Sequence, residues 1–124
     1  MTKQKENILV IDDSNTNVVL LEAILKSKGY NTTSAMSVKE ALPIIDSKPP
    51  KLILLDLLMP QVSGYQFLED LKKNDDTKDI PVIIVSAVTG KESKTKSKIL
   101  GAVDFIEKPI DIKELVKKVE KILN

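Results

Sequence analysis

Short apolar runs alternate along this chain with longer stretches in which apolar residues recur at helical spacing, and the alternation repeats five times. Asn7-Ile8-Leu9-Val10-Ile11, ended by Asp12-Asp13, predicts a buried strand. Val18, Val19, Leu21, Ile24 and Leu25 then follow the helical period, and Gly29 closes that segment. Tyr30 to Ser34 predicts a short second strand. Ser37-Val38-Lys39-Glu40 has the capping-box pattern, with Glu40 placed to reach back to the Ser37 backbone. Pro43 falls inside the helix so opened, where it removes a hydrogen bond, and it predicts a kink or a displaced start.

Leu52 to Leu55 predicts the third strand, and Gly64 to Leu71 opens a third helix with Tyr65, Leu68 and Leu71 on one side. Pro81-Val82-Ile83-Ile84-Val85 predicts the fourth strand, with proline at its first position, where a missing donor is tolerated. Thr89-Gly90-Lys91-Glu92 is a second capping box, and Gly101 ends the helix after it. Val103 to Ile106 predicts a fifth strand. Asp111-Ile112-Lys113-Glu114 caps a final helix carrying Ile112, Leu115, Val116, Val119 and Ile122. Strands that are apolar throughout and separated by helices predict an α/β fold, a parallel sheet covered on both faces.

One residue disturbs the third run. Asp56 sits in Lys51-Leu52-Ile53-Leu54-Leu55-Asp56-Leu57-Leu58-Met59-Pro60, and a carboxylate among leucines loses its hydration if buried. The conflict resolves if Asp56 stands at the end of the strand, facing the rim of the sheet. Ligands of such folds bind beyond the carboxyl ends of the strands. There, Asp12-Asp13 follow the first strand, Asp56 the third, Ser86 the fourth and Lys108 the fifth. Alone, each has an ordinary structural explanation: helix caps for the acids, a backbone-bonded loop hydroxyl, a surface lysine before Pro109. Together they place three carboxylates, a hydroxyl and an ammonium on one rim.

Two carboxylates at ~4 Å repel by about 4 kcal/mol at an effective dielectric of 20, so the cluster calls for a cation. The chain has no histidine and no cysteine, which leaves a hard divalent ion taking oxygen ligands, with Mg²⁺ the first candidate. A lysine and a hydroxyl opposite the metal suit a phosphoryl group. Phosphoryl transfer is the chemistry these residue types favour.

Composition narrows the partners. The 124 residues are the size of one domain, and 42% hydrophobic content suits a globular chain. No run is long enough to span a bilayer and the N-terminus lacks a signal-peptide pattern, so no membrane association and a cytoplasmic location are expected. The net charge is +1 and all 19 basic residues are lysine, which counts against direct reading of nucleic acid. Any phosphohistidine must come from another molecule. Lys91, Lys94, Lys96, Lys98, Lys113, Lys117, Lys118 and Lys121 crowd the last third of the chain. They read either as a solvated face balanced by local acids or as a docking patch for an acidic partner or a second copy.

Asp12-Asp13, "DLLMP" at Asp56 to Pro60 with Gly64 after it, "PVIIVSA" from Pro81 to Ala87 and "GAVDFIEKP" from Gly101 to Pro109 stand in an order and spacing that resembles the receiver domain of two-component response regulators. The resemblance runs from Asn7 to the last helix. It implies a flavodoxin-like, doubly wound, five-stranded parallel sheet of order 2-1-3-4-5 with five helices, over a single receiver domain at 1–124. It implies that Asp56 accepts a phosphoryl group from a sensor histidine kinase or histidine phosphotransfer protein. Asp13, Asp56 and the Leu58 carbonyl would bind Mg²⁺ directly, and Asp12 through water. Lys108 would pair with the phosphoryl oxygens, and the Lys108-Pro109 peptide would be cis. Ser86 would hydrogen-bond the phosphoryl group, and Phe105 would turn inward as the switch aromatic. The result would change the surface of the fourth helix, fifth strand and fifth helix, through which a homodimer could also form. Leu58 departs from the family pattern, which commonly has a polar or longer side chain there, and Phe105 lacks a tyrosine hydroxyl.

Three rivals are weaker. A haloacid-dehalogenase-type phosphatase would want a second Asp two residues after the nucleophile, where Leu58 stands. A pure scaffold would not need Asp12, Asp13, Asp56, Ser86 and Lys108 together, and nucleic-acid binding lacks arginine. The expectation is a signalling switch, not a turnover enzyme, either as a stand-alone regulator or as part of a longer protein.

Overall fold

The computed structural model describes residues 7–59, 62–88 and 90–123. Strands β1 (Asn7–Ile11), β2 (Asn31–Ala35), β3 (Leu52–Leu55), β4 (Val82–Ser86) and β5 (Asp104–Glu107) alternate with helices α1 (Asn15–Ser27), α2 (Val38–Ser47), α3 (Gly64–Lys73), α4 (Lys91–Ile99) and α5 (Ile112–Leu123). All four strand pairings are parallel, in the order β2-β1-β3-β4-β5. The expected α/β, flavodoxin-like, doubly wound sheet is what forms.

The strands read as apolar at every position because both faces of the sheet are covered. Leu9, Ile11, Ile53, Leu55, Val82 and Ile84 point to one side, where Ala41 and Ile45 of α2 and Phe67, Leu68 and Leu71 of α3 complete the core. Ile8, Val10, Leu52, Leu54, Ile83 and Val85 point to the other, against Leu21 and Leu25 of α1 and Leu115 and Val119 of α5. Side chains alternate across each strand, so neighbouring residues feed opposite cores.

Several boundaries shift. β2 lies one residue further on than expected, and β5 starts at Asp104, leaving Val103 exposed. Val19, at helical spacing, faces solvent, because four apolar residues already fill the inner stripe of α1. On α3 the buried ring is Phe67, with Tyr65 at the margin of the core. α2 begins where the cap dictates and runs through Pro43, so its start is not displaced. The Glu40 N–H donates to Ser37 Oγ (3.1 Å), while the Glu40 carboxylate accepts from Met36 N–H (3.0 Å), one residue earlier than the Ser37 backbone. The Asp111 cap of α5 forms as read, accepting from Glu114 N–H (3.1 Å). Thr89 of the second capping box lies outside the described residues; Gly90 occupies the N-cap position of α4 at φ +110° with no side-chain cap.

Candidate functional site

The carboxyl ends of β1, β3, β4 and β5 deliver the site. Asp12 directly follows β1, and its N–H donates to the Ala35 carbonyl at the end of β2 (3.1 Å). Ser14, not either aspartate, caps α1, with its Oγ accepting from Asn17 N–H (3.4 Å). Both acids are thereby released from the capping role they could have filled. Asp12 Oδ1 instead accepts the Ser14 N–H (2.9 Å).

Asp56 stands one residue past β3, as the sequence suggested, and its N–H donates to Ile11 O (3.0 Å). It is not open at the rim, however. Asp56 is only 5% exposed and Asp12 only 2%. A strand-end position thus did not make the carboxylate solvent-exposed.

Its charge is met by protein partners. Asp56 Oδ1 accepts from the Ser86 hydroxyl (3.0 Å) and the Leu58 N–H (3.2 Å). Asp56 Oδ2 faces Lys108 Nζ at 3.4 Å, and the same ammonium donates to Asp12 Oδ2 at 2.8 Å. Burial pushes the Asp56 carboxyl above its ordinary range. The Leu58 N–H and the Lys108 ammonium pull it back, the Asp12 charge adds to the rise, and the Ser86 hydroxyl lowers it, but burial prevails.

Ser86 is the last residue of β4 and fully buried, where the sequence placed it just beyond the strand. Its Oγ also accepts the Val88 N–H (3.3 Å), which ties the hydroxyl to the loop leading into α4. Lys108 follows β5 with its N–H on the Ser86 carbonyl (2.9 Å), and the Lys108-Pro109 peptide is cis. Asp13 is exposed, beside a groove formed with Leu57, Leu58, Met59, Ser63, Tyr65 and Val88. The Leu58 side chain is 58% exposed. Phe105 lies inward, 9% exposed, in the core on the α2–α3 side.

Gly64 is a functional position that the motif alone did not explain. Its N–H donates to the Leu57 carbonyl (3.1 Å). A Cβ there would come within 2.5 Å of Leu57 Cα and 2.6 Å of Asp56 O, so only glycine lets α3 start against the backbone of Asp56. Ser14 and Val88 were likewise invisible as site residues, because they act through main-chain N–H groups that any residue type could supply.

Carboxylate oxygens of Asp12, Asp13 and Asp56 lie within 4.8 Å of one another. Three carboxylates against one ammonium leave net negative charge, and every donor is a hard oxygen. That set fits a divalent cation such as Mg²⁺.

Comparison with known proteins agrees with this geometry. The sequence profile of the family described as "Response regulator receiver domain" matches residues 8–120. Protein PilH of Pseudomonas aeruginosa is 33% identical over 116 residues, which is 94% of this chain and 96% of PilH. Response regulator PleD of Caulobacter vibrioides is 39% identical over 104 residues, 84% of this chain but 23% of PleD. The chain likewise spans about half (49%) of the ycf27 regulator of Porphyridium aerugineum. Among solved structures, the receiver domain of Francisella response regulator 1452 superposes with a TM-score of 0.89 at 31% identity, covering 96% of this chain and 97% of that one. The Vibrio cholerae chemotaxis protein CheY4 gives 0.89 at 25% identity, covering 96% and 99%.

Proposed function

The chain belongs to the response regulator receiver domain family, and from that premise we propose that Asp56 is its phosphoacceptor. One observation supports this above the rest: Lys108 and Ser86 grip opposite oxygens of a buried carboxylate. In the step proposed, an Asp56 oxygen bonds to phosphorus while the phosphorus–nitrogen bond of a phosphohistidine breaks and the imidazole leaves. The histidine belongs to a sensor kinase or phosphotransfer protein, since this chain has none.

Asp13, Asp56 and the Leu58 carbonyl would hold Mg²⁺ directly, with Asp12 acting through water. The ion would supply charge neutralisation between the carboxylates and the incoming phosphoryl oxygens. Lys108, already positioned by Asp12, meets the charge on the transferred group. The Ser86 hydroxyl exchanges the Asp56 carboxylate for a phosphoryl oxygen, and through Val88 N–H this exchange pulls on the start of α4. Phe105 fills the space behind it. The readout is a changed surface on α4, β5 and α5, used by a partner or a second copy of the receiver.

Receivers are signalling switches, and we assign this chain the same role as a single receiver domain, self-modifying but not a turnover enzyme. No described helix is long and apolar enough to cross a membrane. We assign it a cytoplasmic location, with neither membrane nor direct nucleic-acid contact.

Intact-mass measurement after incubation with acetyl phosphate and Mg²⁺ tests the assignment. One phosphoryl adduct is expected, absent in Asp56→Ala and in EDTA. A folded protein that takes no phosphoryl group from acetyl phosphate or from phosphorylated kinases would instead be an interaction scaffold.

A further inference from the structure

We propose that the outer edge of β2 pairs with the β2 edge of a second copy of this chain, carrying the sheet across a two-fold axis. The two edges of the sheet are finished differently. On β5, the Phe105 N–H donates to Asp104 Oδ1 (2.8 Å) and the Phe105 carbonyl accepts from Lys118 (3.0 Å). Side chains thus occupy the main-chain groups that another strand would need.

β2 has no such cover. The Ala35 carbonyl accepts from Asp12 N–H, so Ala35 faces β1, and main-chain groups alternate sides along a strand. Thr33 therefore faces β1 as well, while Thr32 and Ser34 turn outward. Among the described residues nothing bonds the main-chain N–H or carbonyl of either. The strand, Asn-Thr-Thr-Ser-Ala, also lacks the lysine or proline that blunts an exposed edge.

Its sequence matches itself. An axis through Thr33 sets Thr32 of each copy opposite Ser34 of the other, and each such pair exchanges two main-chain hydrogen bonds. Hydroxyl side chains facing one another across strands are a favourable pair. α1 supports the same axis. Thr32 Oγ1 donates to Glu22 (3.0 Å), which places the stripe of Val19, Glu22 and Lys26 above β2. α1 runs against β2, so Val19 lies about 4.5 Å from Glu22 in the direction in which Thr33 lies about 3.3 Å from Thr32. Val19, 57% exposed, thereby stands beside the axis and meets its own copy. Glu22 and Lys26 cancel, so no net charge is opposed there. A strand from another protein would satisfy the edge but leave Val19 in water. This edge is at the opposite end of the sheet from β5, and the proposal stands apart from the switch reading.

The test is sedimentation equilibrium of the unphosphorylated protein from micromolar to millimolar concentration, beside amide exchange of β2. A dimer is expected, with Thr32 and Ser34 amides slowing as concentration rises while Thr33 stays unchanged. Ser34→Pro removes an outward N–H without touching the β1 pairing, and Val19→Lys sets like charges across the axis. Each should weaken the dimer roughly tenfold or more. Unchanged thermal melting would show that the variants fold; should Ser34→Pro not fold, Val19→Lys and the exchange data decide alone. Four outcomes would overturn the proposal: a monomer at every concentration, a dimer that Val19→Lys leaves intact, Thr32 and Ser34 amides already protected in the monomer, or a dimer whose amide shifts fall on α4 and α5.

Discussion

α4 and α5 flank the same strand, β5, and are held in place by opposite means. α5 buries Leu115 and Val119 completely in the core shared with β1, β3 and β4, and Asp111 caps its start. α4 buries only Ser97, whose hydroxyl has no hydrogen-bond partner among the described residues, and it starts at Gly90 without a side-chain cap. What holds α4 is charge: Lys94 on Glu107 and Lys96 over Tyr65. A helix fixed by apolar burial can move only by opening a cavity. One fixed by exposed charge can move for about 1 kcal/mol per contact. The proposed switch, in which the Ser86 hydroxyl would change partners, would require the second kind beside the first.

The comparison is most directly tested at Leu115. Leu115→Ala should lower stability by about 2–5 kcal/mol in chemical denaturation, since the transfer term and the cavity add. A loss below about 1 kcal/mol would mean that α5 is not the fixed member of the pair. Next in size, 1 M NaCl should weaken both ties of α4, because screening removes exposed charge contacts and leaves apolar burial intact. Amide exchange in α4 should then quicken roughly fivefold, equivalent to about 1 kcal/mol, while α5 stays unchanged.

How far this difference could be read in advance varies by element. The strong apolar stripe and the Asp111 cap of α5 were plain in the sequence, since both rest on local spacing. α4 could not be read the same way: its inner face is a serine, and burial of a serine leaves no periodic signal. At the site, the identities of Asp12, Asp13, Asp56, Ser86 and Lys108 were legible because strand ends could be counted. The sharing of Lys108 between Asp12 and Asp56 was not, because the lysine arrives from residues far away in the chain to take two carboxylates at once. Nor did the motif show that Ser86 is still inside β4, since a serine ending a run of Val and Ile reads equally well as a loop.

Smaller effects refine the contrast. Ser97→Ala should stabilise the protein by roughly 0.5–1 kcal/mol, because an unpartnered buried hydroxyl is replaced by a better helix former. A loss of similar size would show that the hydroxyl has a partner in solution. The polar contact of α5 should matter least. Burial of Lys118 lowers its affinity for protons, but hydrogen bonds to Asp104 and Glu114 outweigh this and raise its pKa above 10.5. Its folded pKa thus exceeds the unfolded one, so its contribution is complete below about pH 10 and lost as the pH rises through the folded value. Since Lys118 also donates to Phe105 O (3.0 Å), that loss should register in a Lys118→Met comparison above pH 10 as a few tenths of a kcal/mol.

The bond from Gly64 N–H to Leu57 O has a consequence for how the chain tolerates change in length. It ties Leu57 to the start of α3, with the close approach of Gly64 to the Asp56 backbone acting as a clasp. Whatever lies within a tied ring can lengthen without displacing what lies outside it. A residue added between Met59 and Ser63 should therefore reshape the approach to Asp56, the proposed acceptor, while Asp56 keeps its bonds and, if the proposal holds, still gains a phosphoryl mass. The same residue added before Leu57 would push on Asp56 itself. Neighbouring positions thus divide into those free to change length and those that hold Asp56 in place, and a single missing methyl group draws the line between them.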